Sequence, residues 1–260
     1  MSWKIMSNSI SDFAIIGSGN VAHFLAHILI GKGLTISQVH SRNSVSGNSL
    51  ALKANAVFEE EITSINAAVI FIAVQDEQIE NSLRKLPHSS ILLYTSGTVD
   101  LAAVLPQNHG VFYPLQTFSK NNYTLPFNGP ILLDDKNEEV NNYAIQLCSI
   151  LNLSYQITSS VERKNIHLCA VFLNNFINHI ACIGLSEAKE RKIDLSLFTP
   201  LLKKTFENII SNDPCENQSG PAKRNDKIII NEHIALLDGN SKTIYHLITE
   251  SILAKNGHEL

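Results

Sequence analysis

The apolar residues of this chain follow two regimes. Over roughly the first 160 residues, short runs that are apolar at every position alternate with stretches where apolar residues recur every three or four positions. Phe13-Ala14-Ile15-Ile16 is one such run, and Val21 to Ile30 follows it with Val21, Phe24, Leu25, Ile28 and Leu29 at helical spacing. Ile36 to His40, Ala67 to Val74 and Ile91 to Tyr94 repeat the strand pattern, with a helix predicted over Glu77 to Leu86. Strands apolar throughout belong to a parallel sheet covered on both faces. Repeated strand–helix–strand units with short connections predict an α/β fold, a doubly wound, mostly parallel Rossmann sheet. Ile131 to Leu133, a helix over Glu138 to Leu151, and Leu153 to Ile157 extend the alternation. After about Ser160 the strand signals stop. Helical periodicity then covers most of Val161 to Lys192, and Leu195 to Ile210, Ile228 to Leu237 and Thr243 to Lys255 follow. Asn212 to Asp226 reads as a loop, broken by Pro214, Gly220 and Pro221. The expected division is a Rossmann domain over 1–160 and an all-helical domain over 161–260.

Bulk properties narrow the function classes. Hydrophobic residues make up 44% and charged residues 17% of the 260, enough apolar content for a buried core, and the net charge is −4 with both signs interspersed. No basic tract marks a nucleic-acid surface, and no basic amphipathic helix marks a membrane surface. The longest strongly apolar run, Ala67 to Val74, is too short to span a bilayer, and Met1 to Ser11 lacks the apolar segment of a secretory signal. Cys148, Cys169, Cys182 and Cys215 show no CxxC spacing, which argues against a zinc site and a disulfide framework. A reduced cytoplasmic protein with no metal, no nucleic-acid partner and a small-molecule substrate is expected.

The strongest motif is Gly17-x-Gly19-x-x-Ala22, placed directly after a strand and opening a helix. Gly17 permits the tight turn, Gly19 lets backbone approach a pyrophosphate, and Ala22 allows close helix–strand packing. The free N–H groups at the helix start would face the phosphates, which points to Gly17, Ser18, Gly19, Asn20 and Val21 as a dinucleotide cradle. An NAD site usually carries a carboxylate at the end of the second strand. Here that position reads His40-Ser41-Arg42-Asn43, and Ser41 with Arg42 suits the 2′-phosphate of NADP. Other loops at the same sheet edge are expected to line the cofactor through Val74, Gln75, Ser96 and Gly97. Asp76 serves equally well as a cap for the helix after it.

In the helical region, His167, Asn174 and Asn178 fall on one face at about 100° per residue, with Asn175 beside them. A histidine there can move the proton that accompanies hydride transfer, and the amides can orient a substrate. A core histidine with asparagines bonding between helices would give the same pattern. Arg224 and Asp226, in Gly220-Pro221-Ala222-Lys223-Arg224-Asn225-Asp226, form either an anion clamp or a capped helix entry that places Asp226 and His233 on one face.

Taken together, the residues resemble a bacterial family of Rossmann-like proteins with a C-terminal domain of unknown function, DUF2520. The resemblance runs from about residue 12 to 255. It rests on Ile15-Ile16-Gly17-Ser18-Gly19-Asn20-Val21-Ala22, Thr95-Ser96-Gly97, Tyr113-Pro114-Leu115-Gln116-Thr117-Phe118, His167 with Asn174-Asn175-Phe176, and Gly220-Pro221 through Arg224 and Asp226 to His233. The family looks distantly related to pyrroline-5-carboxylate reductase, ketopantoate reductase and F420-dependent NADP reductase. It implies an NADP-linked reductase with a homodimer formed through the helical domain. The residues themselves lead to the expectation of an NADP-dependent oxidoreductase acting on a small polar carbonyl, imine or hydroxy substrate in the interdomain cleft, with His167, Asn174, Asn175, Arg224 and Asp226 near the chemistry. The chain departs from the pattern at Tyr113-Pro114, where His-Pro is expected. The Lys-x-x-x-Asn pair of β-hydroxyacid dehydrogenases is also missing, since Lys164 is followed by Leu168, and no Tyr-x-x-x-Lys pair is present. A non-catalytic NADP-binding sensor is the rival reading.

Overall fold

The computed structural model describes residues 12–101, 108–119, 127–211 and 213–258. The chain forms two compact units, Met1–Asn175 and Phe176–Leu260.

The first unit is built on a six-stranded sheet. Its elements are β1 (Asp12–Ile16), α1 (Asn20–Gly31), β2 (Thr35–His40), α2 (Ser44–Ala54), β3 (Val57–Glu59), β4 (Val69–Ile72), α3 (Asp76–Leu83), β5 (Ile91–Tyr94) and β6 (His109–Val111). The strand order is β3-β2-β1-β4-β5-β6 with every pair parallel, the doubly wound order whose ligand site lies where the order reverses beside β1. Along β1 the residues alternate between two cores. Phe13 and Ile15 pack with Leu25, Leu29, Phe71 and Leu93, while Ala14 and Ile16 pack with Ile70, Ile72, Ile79 and Leu92. Both faces are buried, which is why these strands are apolar at every position.

β7 (Tyr113–Pro114), β8 (Ile131–Asp134) and β9 (Tyr155–Thr158) form a separate small sheet, antiparallel between β7 and β8 and parallel between β8 and β9. The helix α4 (Glu138–Leu151) buries Ala144, Leu147 and Cys148 in the first core. Burial pushes the Cys148 thiol up to about 12, so it stays protonated and inert. The helix α2 and the strands β3 and β6 carry weak patterns. α2 contains Gly47 and several Ser and Asn residues, and caps define it: Asn43 accepts from Ser46 N at 3.0 Å, and Asn55 ends it in the left-handed region at φ 51°.

The helices α5 (Ser160–Ala170) and α6 (Ile177–Glu190) flank a π-helical segment, Val171–Phe176. π turns close at i→i+5 and rotate less per residue than α turns. The 100° spacing that places His167, Asn174 and Asn178 on one face therefore does not hold across this segment, and His167, Asn174 and Asn175 nonetheless line one cleft. Asn178 lies beyond the unit boundary. The helix Ser160–Glu190 contains an 18-residue window of mean hydropathy 1.6 and is, by length and composition, long and apolar enough to cross a membrane. Its interspersed Asn and His residues hide this in a search for uninterrupted apolar stretches.

The second unit contains α6, α7 (Thr199–Ser211), α8 (Lys227–Leu236) and α9 (Gly239–Lys255). Arg191 Nη2 donates to Leu236 O at 2.7 Å, and His233 Nδ1 meets Tyr245 Oη at 2.8 Å, tying α6 and α9 to α8. Among its described residues the buried apolar side chains are Ala188, Ala222, Ile230 and Leu253, while Leu197, Leu201, Ile210, Ile228 and Leu236 are exposed.

Candidate functional site

Three strands end level with one another at the carboxyl edge of the large sheet. Gly17 N donates to His40 O at 2.8 Å, Ala73 N to Ile16 O at 2.8 Å, and Thr95 N to Ile72 O at 3.1 Å. The loops after β1, β4 and β5 therefore start from one platform, and two clefts open beside it.

The first cleft, about 530 Å³, runs over the Gly17-to-Val21 turn and is lined by Ser41, Arg42, Val74, Gln75 and Lys85 among others. The two motif glycines differ in what demands them. Gly17 has φ +116°, and a Cβ there would lie 2.1 Å from Ala73 O, so the fold itself requires glycine. Gly19 is in extended backbone, and a Cβ there would meet nothing within 4 Å. Internal packing makes no demand on it. What a side chain at 19 would take is open space in the cleft, where a diphosphate has to approach the start of α1. Ala22 is fully buried, as close helix–strand packing requires.

The hydroxyls of Ser18, Ser41 and Ser46 form a cluster, with Ser18 Oγ 2.8 Å from Ser41 Oγ and 2.6 Å from Ser46 Oγ. The exposed Arg42 donates from Nη2 to Gln75 Oε1 at 3.3 Å. Among the described residues Arg42 and Lys85 line the cleft and no Asp or Glu does. Glu59, at the end of β3, accepts from Gln38 Nε2 at 2.9 Å. A cradle open at Gly19, with hydroxyls, two cations and no acid, fits a phosphorylated dinucleotide. Lys85 went unnoticed in the sequence because it follows a helix and belongs to no motif.

The second cleft, about 910 Å³, shares Asn20 and Val21 with the first and brings together Tyr113, Glu162, His167, Asn174 and Asn175. Asn20 Nδ2 donates to Phe118 O at 2.7 Å, joining the phosphate turn to the segment after β7. The N-cap Ser159 accepts from Glu162 N at 3.1 Å and starts α5. One turn before His167, the buried Arg163 donates from Nη2 to Val99 O at 2.8 Å and pins α5 to the loop after β5. His167 Nδ1 then meets Tyr113 Oη at 3.1 Å, with the rings edge-on at a centroid separation of 6.0 Å.

The Thr95-Ser96-Gly97 turn takes a different part from the one its small residues suggest. Ser96 Oγ accepts from Thr98 N at 3.1 Å and Val99 N at 3.0 Å, so its hydroxyl holds the loop. A Cβ on Gly97 would lie 2.8 Å from His167 Nδ1, so glycine here makes room for the histidine ring. Asp76 is not a helix cap. Gln75 occupies the cap position of α3, and the Asp76 carboxylate accepts from Thr98 Oγ1. Burial, followed by the Asp76 charge, holds the Tyr113 phenol above its ordinary range.

Arg224 and Asp226 belong to the helical unit. Asp226 Oδ1 accepts from Ile229 N at 3.3 Å and caps α8, and His233 pairs with Tyr245 rather than with Asp226. Among the described residues no cluster of three or more His, Cys, Asp or Glu side chains is arranged to hold a metal ion.

Two family models match different stretches of the chain, and the second crosses the boundary between the two units. Residues 12–100 match the family model described as NADP oxidoreductase coenzyme F420-dependent, and residues 130–252 match the domain of unknown function DUF2520. Among solved structures, a Bacteroides fragilis protein provisionally described as an NADP oxidoreductase is 28% identical, with a TM-score of 0.86, covering 94% of this chain and 98% of that one. A Thermotoga maritima protein is 19% identical with a TM-score of 0.63, covering 95% and 100%. An imine reductase from Myxococcus stipitatus in complex with NADP+ is 14% identical with a TM-score of 0.64, covering 95% and 96%. The last two likenesses concern the fold alone. No curated protein matches the chain. The chain thus joins a segment similar to the coenzyme F420-dependent NADP oxidoreductase family to one similar to the domain of unknown function DUF2520.

Proposed function

We propose that this protein is an NADP-dependent oxidoreductase acting on a small polar carbonyl, imine or hydroxy compound in the cleft beside His167. The observation that carries the reading is the junction of the two clefts at Asn20 and Val21: a cradle suited to a diphosphate passes directly into a pocket holding a histidine and two free-standing amides. Backbone from Gly17 to Val21 would hold the pyrophosphate, and Ser41 and Arg42 the 2′-phosphate, with Val74 and Gln75 along the wall. Bound NADPH would supply hydride to the substrate carbon, or NADP+ would accept it. His167 supplies or removes the accompanying proton, while Asn174 and Asn175 orient the substrate. Titration with NADPH and NADH, followed by NADPH oxidation against a panel of ketones, keto acids and cyclic imines, tests this. Tight binding with no turnover of any member would favour a nucleotide sensor instead.

A second copy of the chain is the partner we assign. Among its described residues the helical unit buries few apolar side chains, and twelve of its large ones are 40–83% exposed. Together they offer on the order of 1,000 Å², about what each side of a stable interface covers. Asn178 and His179 sit mid-way along Ser160–Glu190, where a bilayer would penalise them and a facing helix can pair them. Light scattering should give twice the 28.7 kDa chain mass, and Leu201→Glu, at a 62% exposed position, should return it to monomer with NADPH binding intact. A wild-type monomer rules the dimer out.

A further inference from the structure

We propose that Tyr113 delivers the proton to the substrate and that His167 recharges it. The inference rests on the oxidoreductase reading and adds to it a residue that breaks the expected His-Pro pattern.

The Nδ1 edge of the His167 ring is enclosed. On one side the Gly97 backbone is so close that even a methyl group would lie 2.8 Å from Nδ1 and 2.9 Å from Cγ. At hydrogen-bond distance stands Tyr113 Oη, 3.1 Å away. A proton on Nδ1 is therefore passed through the phenol. A phenol oxygen carries one proton and two lone pairs, so it can accept from Nδ1–H while donating its own proton to a substrate. Both side chains line the same cleft. Burial and the neighbouring Asp76 carboxylate keep the phenol un-ionised, as a group that passes protons without storing charge must be.

The transfer balances as follows. His167 starts as the imidazolium, protonated on both nitrogens. The Tyr113 Oη–H bond breaks toward the substrate heteroatom, whose accepting electron pair is freed when NADPH reduces its double bond to carbon. The Nδ1–H bond breaks toward Oη and remakes the phenol. His167 is left neutral with its proton on Nε2, and solvent restores the second proton. In the oxidative direction each transfer reverses.

Two measurements on the full-length protein test this. With NADPH and a cyclic imine or ketone, wild-type turnover should curve with deuterium fraction in mixed light and heavy water, because two protons move together. Tyr113→Phe should lower kcat about a hundredfold, leave the NADPH Kd unchanged and make that dependence linear. Retained turnover in Tyr113→Phe, or a linear dependence in the wild type, overturns the relay and leaves the oxidoreductase standing. Separately, the ¹⁵N resonance of His167 Nδ1, read without substrate or cofactor, should move in Tyr113→Phe. An unmoved resonance removes the contact and the relay with it. A protein that takes up no NADPH, or binds it and turns over nothing, overturns the relay together with the reading beneath it.

Discussion

The two clefts that meet at Asn20 are opposite in charge and in origin. Among the described residues the first is lined by Arg42 and Lys85 with no carboxylate, whereas the second carries Glu162 and neither Lys nor Arg. A cationic cleft attracts phosphates, and a cleft with one acid and several amides favours a neutral or cationic group over a second anion. Their construction differs as well. The first draws its phosphate turn from five consecutive residues, while the second assembles side chains from the start of α1, from β7 and from the α5 to π-helical segment. The phosphate turn of one cleft is made of consecutive backbone and the other cleft of side chains from distant elements, so substitutions should separate them.

The largest effect is expected in the second cleft. His167→Ala removes the proton reservoir, and turnover should fall about 10²- to 10⁴-fold with the NADPH Kd little changed. Steady-state rates alongside a binding titration check this. Equal loss of cofactor affinity would show that the clefts are not separable as drawn.

Next come the two glycines of the first cleft. Gly17→Val forces a side chain onto Ala73 O at a positive φ, and denaturant unfolding should show a loss of about 2–4 kcal/mol. Gly19→Val meets no protein atom, so the unfolding midpoint should hold while NADPH binding weakens by about a hundredfold or more, roughly 3 kcal/mol of lost approach. Unchanged cofactor affinity in Gly19→Val removes the phosphate assignment outright.

The contrast in origin explains what could be read from the sequence. The parallel sheet was legible because burial on both faces leaves the uniformly apolar signature of Phe13 to Ile16 and of Val69 to Ile72. The phosphate turn was legible because its requirements are local. Lys85, Glu162 and the Tyr113–His167 contact were not, since residues 54 apart meet only through tertiary folding. The π-helical segment was invisible for a related reason: nothing in Val171-Phe172-Leu173-Asn174-Asn175-Phe176 announces a wider turn, so Asn174 was placed at ordinary helical spacing from His167. Gly97 shows the remaining kind of gap. Its smallness was evident, but that a histidine ring fills the space appears only in three dimensions.

The smallest predicted effect bears most directly on cofactor choice. Arg42 is exposed and is held in place by a single 3.3 Å bond to Gln75, so solvent screens it and its removal should leave stability unchanged. Its contribution appears only when a 2′-phosphate gives the guanidinium a paired acceptor, and Arg42→Ala should then weaken NADPH about tenfold while NADH is barely affected. The ratio is more informative than either constant. Equal losses would mean that Arg42 merely adds positive potential to the cleft, and Lys85 would become the next candidate to substitute. An unchanged NADPH constant would place the phosphate on the Ser18, Ser41 and Ser46 hydroxyls instead, with Ser41→Ala as the variant that separates these two outcomes.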